Sequence, residues 1–189
     1  MTEMTHEKMT VVAPLEIAAA VIESAGYELF EEVEGMEVVG FALPHCFDGA
    51  CEAVVEFLSG VGQLQISTAL IRGHVNPILH TGLVMLLNEL NLMMPGVKFT
   101  FEPDEETGDE IEISASCFVF DEIQLEEHVK LMLRYLEEAL KMSLPAIYTY
   151  VTQRTRARVN TNGVVTQYGP SLSVQDVLNM IERGQTGRA

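Results

Sequence analysis

The stretch from Asn76 to Phe120 leaves the least freedom of fold, because a thickly apolar helix runs there straight into a polar-tipped β-hairpin. Asn76 can cap a helix whose first residue is Pro77, a favoured pairing because an N–H at that position would have no helical partner anyway. The run Leu83-Val84-Met85-Leu86-Leu87, with Leu90, Leu92, Met93 and Met94, is apolar nearly all round. Such a helix should be covered on several sides and act as scaffold rather than as a binding surface. Pro95-Gly96 stops it. Val97 to Phe101 and Glu110 to Phe120 then read as strands, joined by the acidic, glycine-containing loop from Glu102 to Asp109.

Upstream, Pro14 suits the first turn of a helix reaching about Ala25, with Leu15, Ala18, Val21, Ile22 and Ala25 on one face and Gly26 placed to end it. Tyr27 to Val33 and Met36 to Leu43 read as strands about a Glu34-Gly35 turn. Pro44 to Gly49 breaks the pattern and Ala53 to Leu58 resumes it. Gln63 to Ile71 alternates, with Leu64, Ile66, Thr68 and Leu70 on one side, which is the period of a half-buried strand.

Downstream, Asp121 and Gln124 have capping-box spacing and open a third helix. Its apolar stripe is Leu125, Val129, Met132, Leu133, Leu136 and Leu140, and its outer face carries the pairs Glu126–Lys130 and Glu137–Lys141. Pro145 should end or kink it. The order helix, strands, helix, hairpin, helix predicts an α+β fold: an antiparallel sheet with helices packed on one face, and a C-terminal extension.

Charge divides the chain. With 28 acidic and 11 basic residues the net charge is -17. Residues 1–150 carry -20 of it, whereas residues 151–189 hold five arginines against Asp176 and Glu182, a local +3. The first segment reads as the main domain and the second as a basic extension. The extension includes a short helix from about Ser173 to Arg183, which Gly184 should terminate. An acidic body repels nucleic-acid phosphates and anionic membrane surfaces and favours basic partners. Arg154, Arg156 and Arg158 would point to one side of an extended chain, a small comb suited to an anion or to self-docking on the acidic body of the same chain or a dimer mate.

No apolar run reaches membrane-spanning length, and the polar N-terminus has no secretory pattern. Cys46, Cys51 and Cys117 are then expected as reduced thiols in a cytoplasmic protein. No catalytic signature emerges. His45, Cys46, Asp48 and Cys51 form one compact group of possible metal ligands, but zinc sites pair such a group with a second, and none is evident among His74, His80 or elsewhere. Nothing sets a base beside a cysteine for nucleophilic catalysis. The acidic loop lacks the alternating ligands and closing glutamate of an EF-hand and reads as a solvated tip. His80 reads as a hydrogen-bonded structural residue. We therefore expect no enzyme, no bound metal and no cofactor.

The segment Leu87-Asn88-Glu89-Leu90-Asn91 through Pro95-Gly96 to Phe101, the acidic turn, the strand from Ile111 to Phe120 and the long helix resemble the YbjN family, as do Ala25-Gly26-Tyr27 and Glu34-Gly35. The resemblance covers roughly residues 14–145 and rests on apolar periodicity with a Leu-Asn…Asn helix end. It implies a fold similar to that of type III secretion chaperones, in proteins described as candidate regulators of bacterial sensory transduction. Secretion chaperones are small, acidic, cytoplasmic homodimers that hold an extended segment of another protein. The basic extension departs from that pattern, and the family carries no catalytic residues to transfer.

The expected function is thus a non-enzymatic protein-interaction module, chaperone-like or regulatory, that binds a partner protein or peptide as a homodimer. The expected partner surface is the stripe Leu125, Val129, Met132, Leu136 and Leu140, with the sheet. The alternative is a sensory regulator that responds to a small ligand held between helix and sheet.

Overall fold

Three long runs of alternating residues pair side by side and set the frame of the molecule. In the computed structural model, which describes residues 12–30, 38–46, 49–104, 106–159 and 165–186, the first helix is α1 (Val12–Ser24). It is followed by β1 (Val38–Cys46), β2 (Gly49–Leu58) and β3 (Gln63–Gly73). Then come α2 (Pro77–Met93), β4 (Lys98–Glu102), β5 (Asp109–Phe118) and α3 (Glu122–Val151). The extension forms β6 (Thr155–Val159), β7 (Val165–Pro170) and α4 (Val174–Thr186). Strands β1 to β5 make one antiparallel sheet in the order β1-β2-β3-β5-β4, and β6 and β7 a separate hairpin. The fold is α+β, as the element order predicts.

One face of the sheet is apolar: Val39, Phe41 and Leu43, Ala53 and Val55, Leu64 and Ile66, Ile111, Ile113 and Ala115, and Phe99 are all buried. The helices pack on this face, with α3 touching β1, β3 and β5 and α1 lying against α3. Thr68 is buried in the same layer and satisfied by donating its hydroxyl to the Glu52 carbonyl at 2.8 Å. Helix starts follow the sequence. Asn76 accepts the Ile78 N–H at 3.1 Å, Asp121 accepts the Gln124 N–H at 2.8 Å, and Ser173 and Asp176 exchange hydrogen bonds.

Three boundaries differ from expectation, each for a packing reason. Pro145 lies inside α3, which continues to Val151 because Ala146, Ile147 and Tyr150 are buried beyond it and outweigh one lost backbone hydrogen bond. Pro44 lies inside β1 rather than ending it, at a register shift between Leu43 and Cys46 on an edge strand, where a missing N–H is tolerated. Helix α4 passes Gly184 and ends at Thr186. Of the expected first hairpin, Leu29 bridges Phe41, while the Glu34-Gly35 turn lies outside the described residues.

The extension packs on the helical layer. Helix α4 contacts α3 and α2 through buried Val177, Leu178 and Ile181, and β7 contacts α2. Gly82 of α2 is required at this junction: a Cβ there would sit 1.8 Å from the Tyr150 hydroxyl oxygen of α3. The extension therefore docks on its own chain, but through aliphatic side chains. Among the described residues Arg154 and Arg156 are exposed and form no ion pair.

Candidate functional site

Helix α3 spends its apolar stripe on the fold. Leu125, Val129, Met132, Leu136 and Leu140 are each no more than 4% exposed, facing the sheet and neighbouring helices. They do not present the partner surface expected of them. Helix α2 meets its expectation as buried scaffold only in part. It buries Leu79, Leu83, Leu86, Leu87 and Leu90, and leaves Ile78, Val84, Met85, Leu92 and Met93 exposed. The reason is position: α3 crosses several strands of the sheet, whereas α2 lies against the edge strand β4, α3 and the α4 and β7 elements of the extension, which together leave its outer side uncovered. A helix at the margin of a layer buries one side only, whatever the other carries.

The exposed side of α2 has order. Ile78 (44% exposed), Met85 (56%) and Leu92 (78%) recur every seven residues, so they stack along one line of the helix, about 21 Å from end to end. Glu89 is the one acidic residue of α2, which holds no lysine or arginine. The signal is present in the sequence as heptad spacing within a largely apolar run.

Both sheet edges are occupied in part. At the β4 edge, the Asn91 side-chain oxygen accepts the Phe99 N–H at 2.7 Å and its amide donates to the Phe99 carbonyl at 3.0 Å. The asparagine of the Leu-Asn…Asn helix end is therefore a clamp on the edge strand. At the β1 edge the Phe30 N–H donates to the Gly40 carbonyl at 2.8 Å and the Ala42 N–H to the Glu28 carbonyl at 3.2 Å. Asn91→Ala should cost about 1–3 kcal/mol, since two part-buried main-chain groups lose their partners. Urea denaturation and amide exchange at Phe99 would check this; a loss below about 0.5 kcal/mol with the amide still protected contradicts the clamp.

The second face of the sheet is covered by no described element. Along β5 it shows Glu110, Glu112, Ser114, Ser116 and then Phe118, whose ring lies 6.3 Å from that of Phe120. Glu102 is the direct cross-strand partner of Glu110, an unfavourable like-charge placement. Burial first, and then Glu110, Glu102 and Glu56, push the Glu112 carboxyl above its ordinary value, with Lys98 opposing. Because the folded pKa is raised, folding favours the protonated carboxyl: the penalty is absent below the ordinary value of 4.5 and grows in as pH rises through the folded one. Glu112→Gln should raise the melting temperature by about 1–3 °C at pH 7 and by nothing near pH 4. An equal gap at both pH values would contradict this origin.

The remaining candidates separate. Arg156 and Arg158 lie two apart in extended β6 with Arg154 just before it, which gives the backbone of the expected comb, although the Arg158 side chain lies outside the described residues. Asp48 and the side chains of His45, Cys46 and Cys51 also lie outside them. Cys117 is a half-buried free thiol whose burial pushes its pKa up. Among the described residues no three metal-ligating side chains gather, and no helix is long and apolar enough to cross a membrane. His80 has a structural setting, with Nε2 3.0 Å from the Val75 carbonyl oxygen and 3.5 Å from the buried Asp109 carboxylate. Asp109 in turn accepts the Val75 and Asp104 N–H groups and ties the start of α2 to the β4–β5 hairpin. Tyr27 donates to Glu137 of α3, and burial together with that carboxylate drives its pKa upward. An apolar cleft of about 530 Å³ lies between α3 and α4, lined by Met142, Pro145, Ala146, Met180 and Ile181, with Lys141 at its border.

No family model matches the chain, and no curated protein matches it. Among solved structures it is similar to the crystal structure of YbjN from E. coli, described as a candidate transcription regulator, at 17% identity and a TM-score of 0.49 over 67% of this chain and 87% of that one. It is also similar to an uncharacterised protein from Methanothermobacter thermautotrophicus, at 12% identity and a TM-score of 0.38 over 73% of this chain and 99% of that one. The functional reading below rests on the surfaces.

Proposed function

We propose that this protein is a non-enzymatic interaction module that works as a homodimer and binds a partner polypeptide. The observation that carries the reading is the outward stripe of α2. Two copies of a chain with net charge -17 repel each other, so a self-contact needs a surface poor in acids, and α2 supplies one. Ile78 and Leu92 stand seven residues to either side of Met85. An antiparallel pairing about a two-fold axis at Met85 then sets Ile78 of one copy against Leu92 of the other, twice, as an isologous contact demands. Size-exclusion chromatography with light scattering, run from about 1 to 100 μM protein, tests it: a dimer of constant mass is expected, and a strict monomer throughout sinks the reading.

The α3–α4 cleft favours a second reading, a regulator responsive to a small apolar ligand, because its volume suits such a molecule and its walls are mainly aliphatic. A melting-temperature rise with a small apolar compound, abolished by Met180→Trp at the exposed side of the cleft, would distinguish that reading.

A further inference from the structure

We infer that the uncovered face of the sheet is a docking surface for a cationic polypeptide segment that also carries an aromatic or aliphatic side chain, laid along β5. This deepens the interaction-module reading and rests on it, because it names the chemistry of the partner.

Charge sets one end of the surface. Glu102 and Glu110 stand directly opposite each other and Glu112 follows on the same face; on β2, Glu52 and Glu56 share that face, with Glu56 opposite Gln65 in the row of Ser116. Lys98 and Arg72 are the described basic residues on this face, Arg72 lying 3.6 Å from Glu110 in an exposed and therefore weak pair. Three acids remain in excess. Cross-strand like charges cost stability, and a fold indifferent to this face would gain by replacing one with threonine or lysine. Lysine or arginine side chains from a partner would neutralise them.

Shape sets the middle. Ser114 and Ser116 of β5, with Gln65 of β3 and Thr100 of β4, floor a shallow trough of about 440 Å³ that reaches Glu112 at one end. The short side chains of Ser114, Ser116 and Thr100 leave room for a chain beside the longer Gln65 and Lys98, which also line the trough. Apolar surface sets the far end. Phe118 is 57% and Phe120 78% exposed, and Leu58 lies on the same row of the sheet as Phe118, through Gln63. From Glu112 to Phe118 is six residues of strand, roughly 20 Å. A partner segment therefore needs its basic residues at one end and a large apolar side chain about six extended residues away.

The edges fix the mode of binding. With Asn91 on the Phe99 main chain and residues 28–30 along β1, an incoming strand cannot simply extend the sheet at those positions. Contact is made through side chains across the face. Identity of the occupant follows from charge: a second copy of this acidic body would repel the surface everywhere except at its own arginine hairpin, which the experiment addresses.

The probe is a fluorescein-labelled extended peptide with two arginines at one end, serines between, and a phenylalanine six residues on, followed by fluorescence polarisation against the full-length protein at low salt. Saturable binding is expected, weakened tenfold or more by Glu102→Gln/Glu112→Gln and several-fold by Phe118→Ser. The charge-matched control Glu16→Gln/Glu23→Gln on exposed positions of α1 should change it less than twofold. Equal losses in the two charge-matched variants would assign binding to the overall field and overturn the proposal, as would no binding to the wild-type chain. Tighter binding by Arg154→Gln/Arg156→Gln would also overturn it, by making the hairpin of a second copy the occupant. Far-ultraviolet circular dichroism confirms that each variant is folded. The oligomeric state is read separately, so a dimer that ignores the peptide rejects this surface without rejecting the module.

Discussion

Replacing Leu136 by alanine is expected to remove about 2–5 kcal/mol of stability, while the same change at Leu92 should leave stability within about 0.5 kcal/mol. The two leucines differ in place rather than chemistry. Leu136 is fully buried at the middle of α3, where truncation loses transfer free energy and leaves a cavity between helix and sheet. Leu92 is 78% exposed in the last turn of α2, and its truncation removes little from any neighbour. Urea denaturation of both changes made in a monomeric Met85→Glu background, where no contact between copies contributes, measures the contrast directly. A loss at Leu92 as large as that at Leu136 would mean that the outer side of α2 is covered as well.

Met85→Glu is expected to convert a dimer into folded monomers. At a two-fold axis each substitution acts twice and on itself, so the variant sets two carboxylates against one another in the middle of an apolar contact. Juxtaposed like charges cost several kcal/mol, so we expect the dissociation constant to rise a hundredfold or more. The monomer should keep its circular dichroism spectrum, because Met85 points away from the core. Met85→Leu, which keeps the apolar surface, should remain dimeric. A Met85→Glu protein that still elutes as a dimer would place the self-contact elsewhere.

The elements of this fold were legible because their signals are local. Asn76-Pro77, Asp121…Gln124 and Ser173…Asp176 mark helix starts by hydrogen bonds made within a few residues, and the alternation of Gln63 to Ile71 marks a strand by its own period. Which face an element buries was not legible in the same way, because that depends on what lies across from it. Leu125 to Leu140 looked like surplus apolar surface until the sheet they cover was in place. The all-round apolarity of α2 looked like a demand for burial, yet the helix sits beside an edge strand where one side has no neighbour. Pro145 and Pro44 misled for a related reason: a local rule was outweighed by Ile147 and Tyr150 in one case and excused by an edge in the other. Along β5 the run Glu110, Glu112, Ser114, Ser116, Phe118 could be read directly. That Glu102 stands opposite Glu110 and that Glu56 shares their face required strand order, which the sequence does not state.

Asn91 bears on how such a protein can be kept at high concentration. A strand margin with free amides and carbonyls invites another chain to join it, and that chain presents a margin in its turn, which is how fibrils lengthen. Here one asparagine amide occupies both groups of Phe99 at one margin, and residues 28–30 line the other. The margins of a broad, uncovered sheet face are thereby kept from acting as a seed. Loss of the asparagine would be felt first in storage, as slow thioflavin-positive deposition.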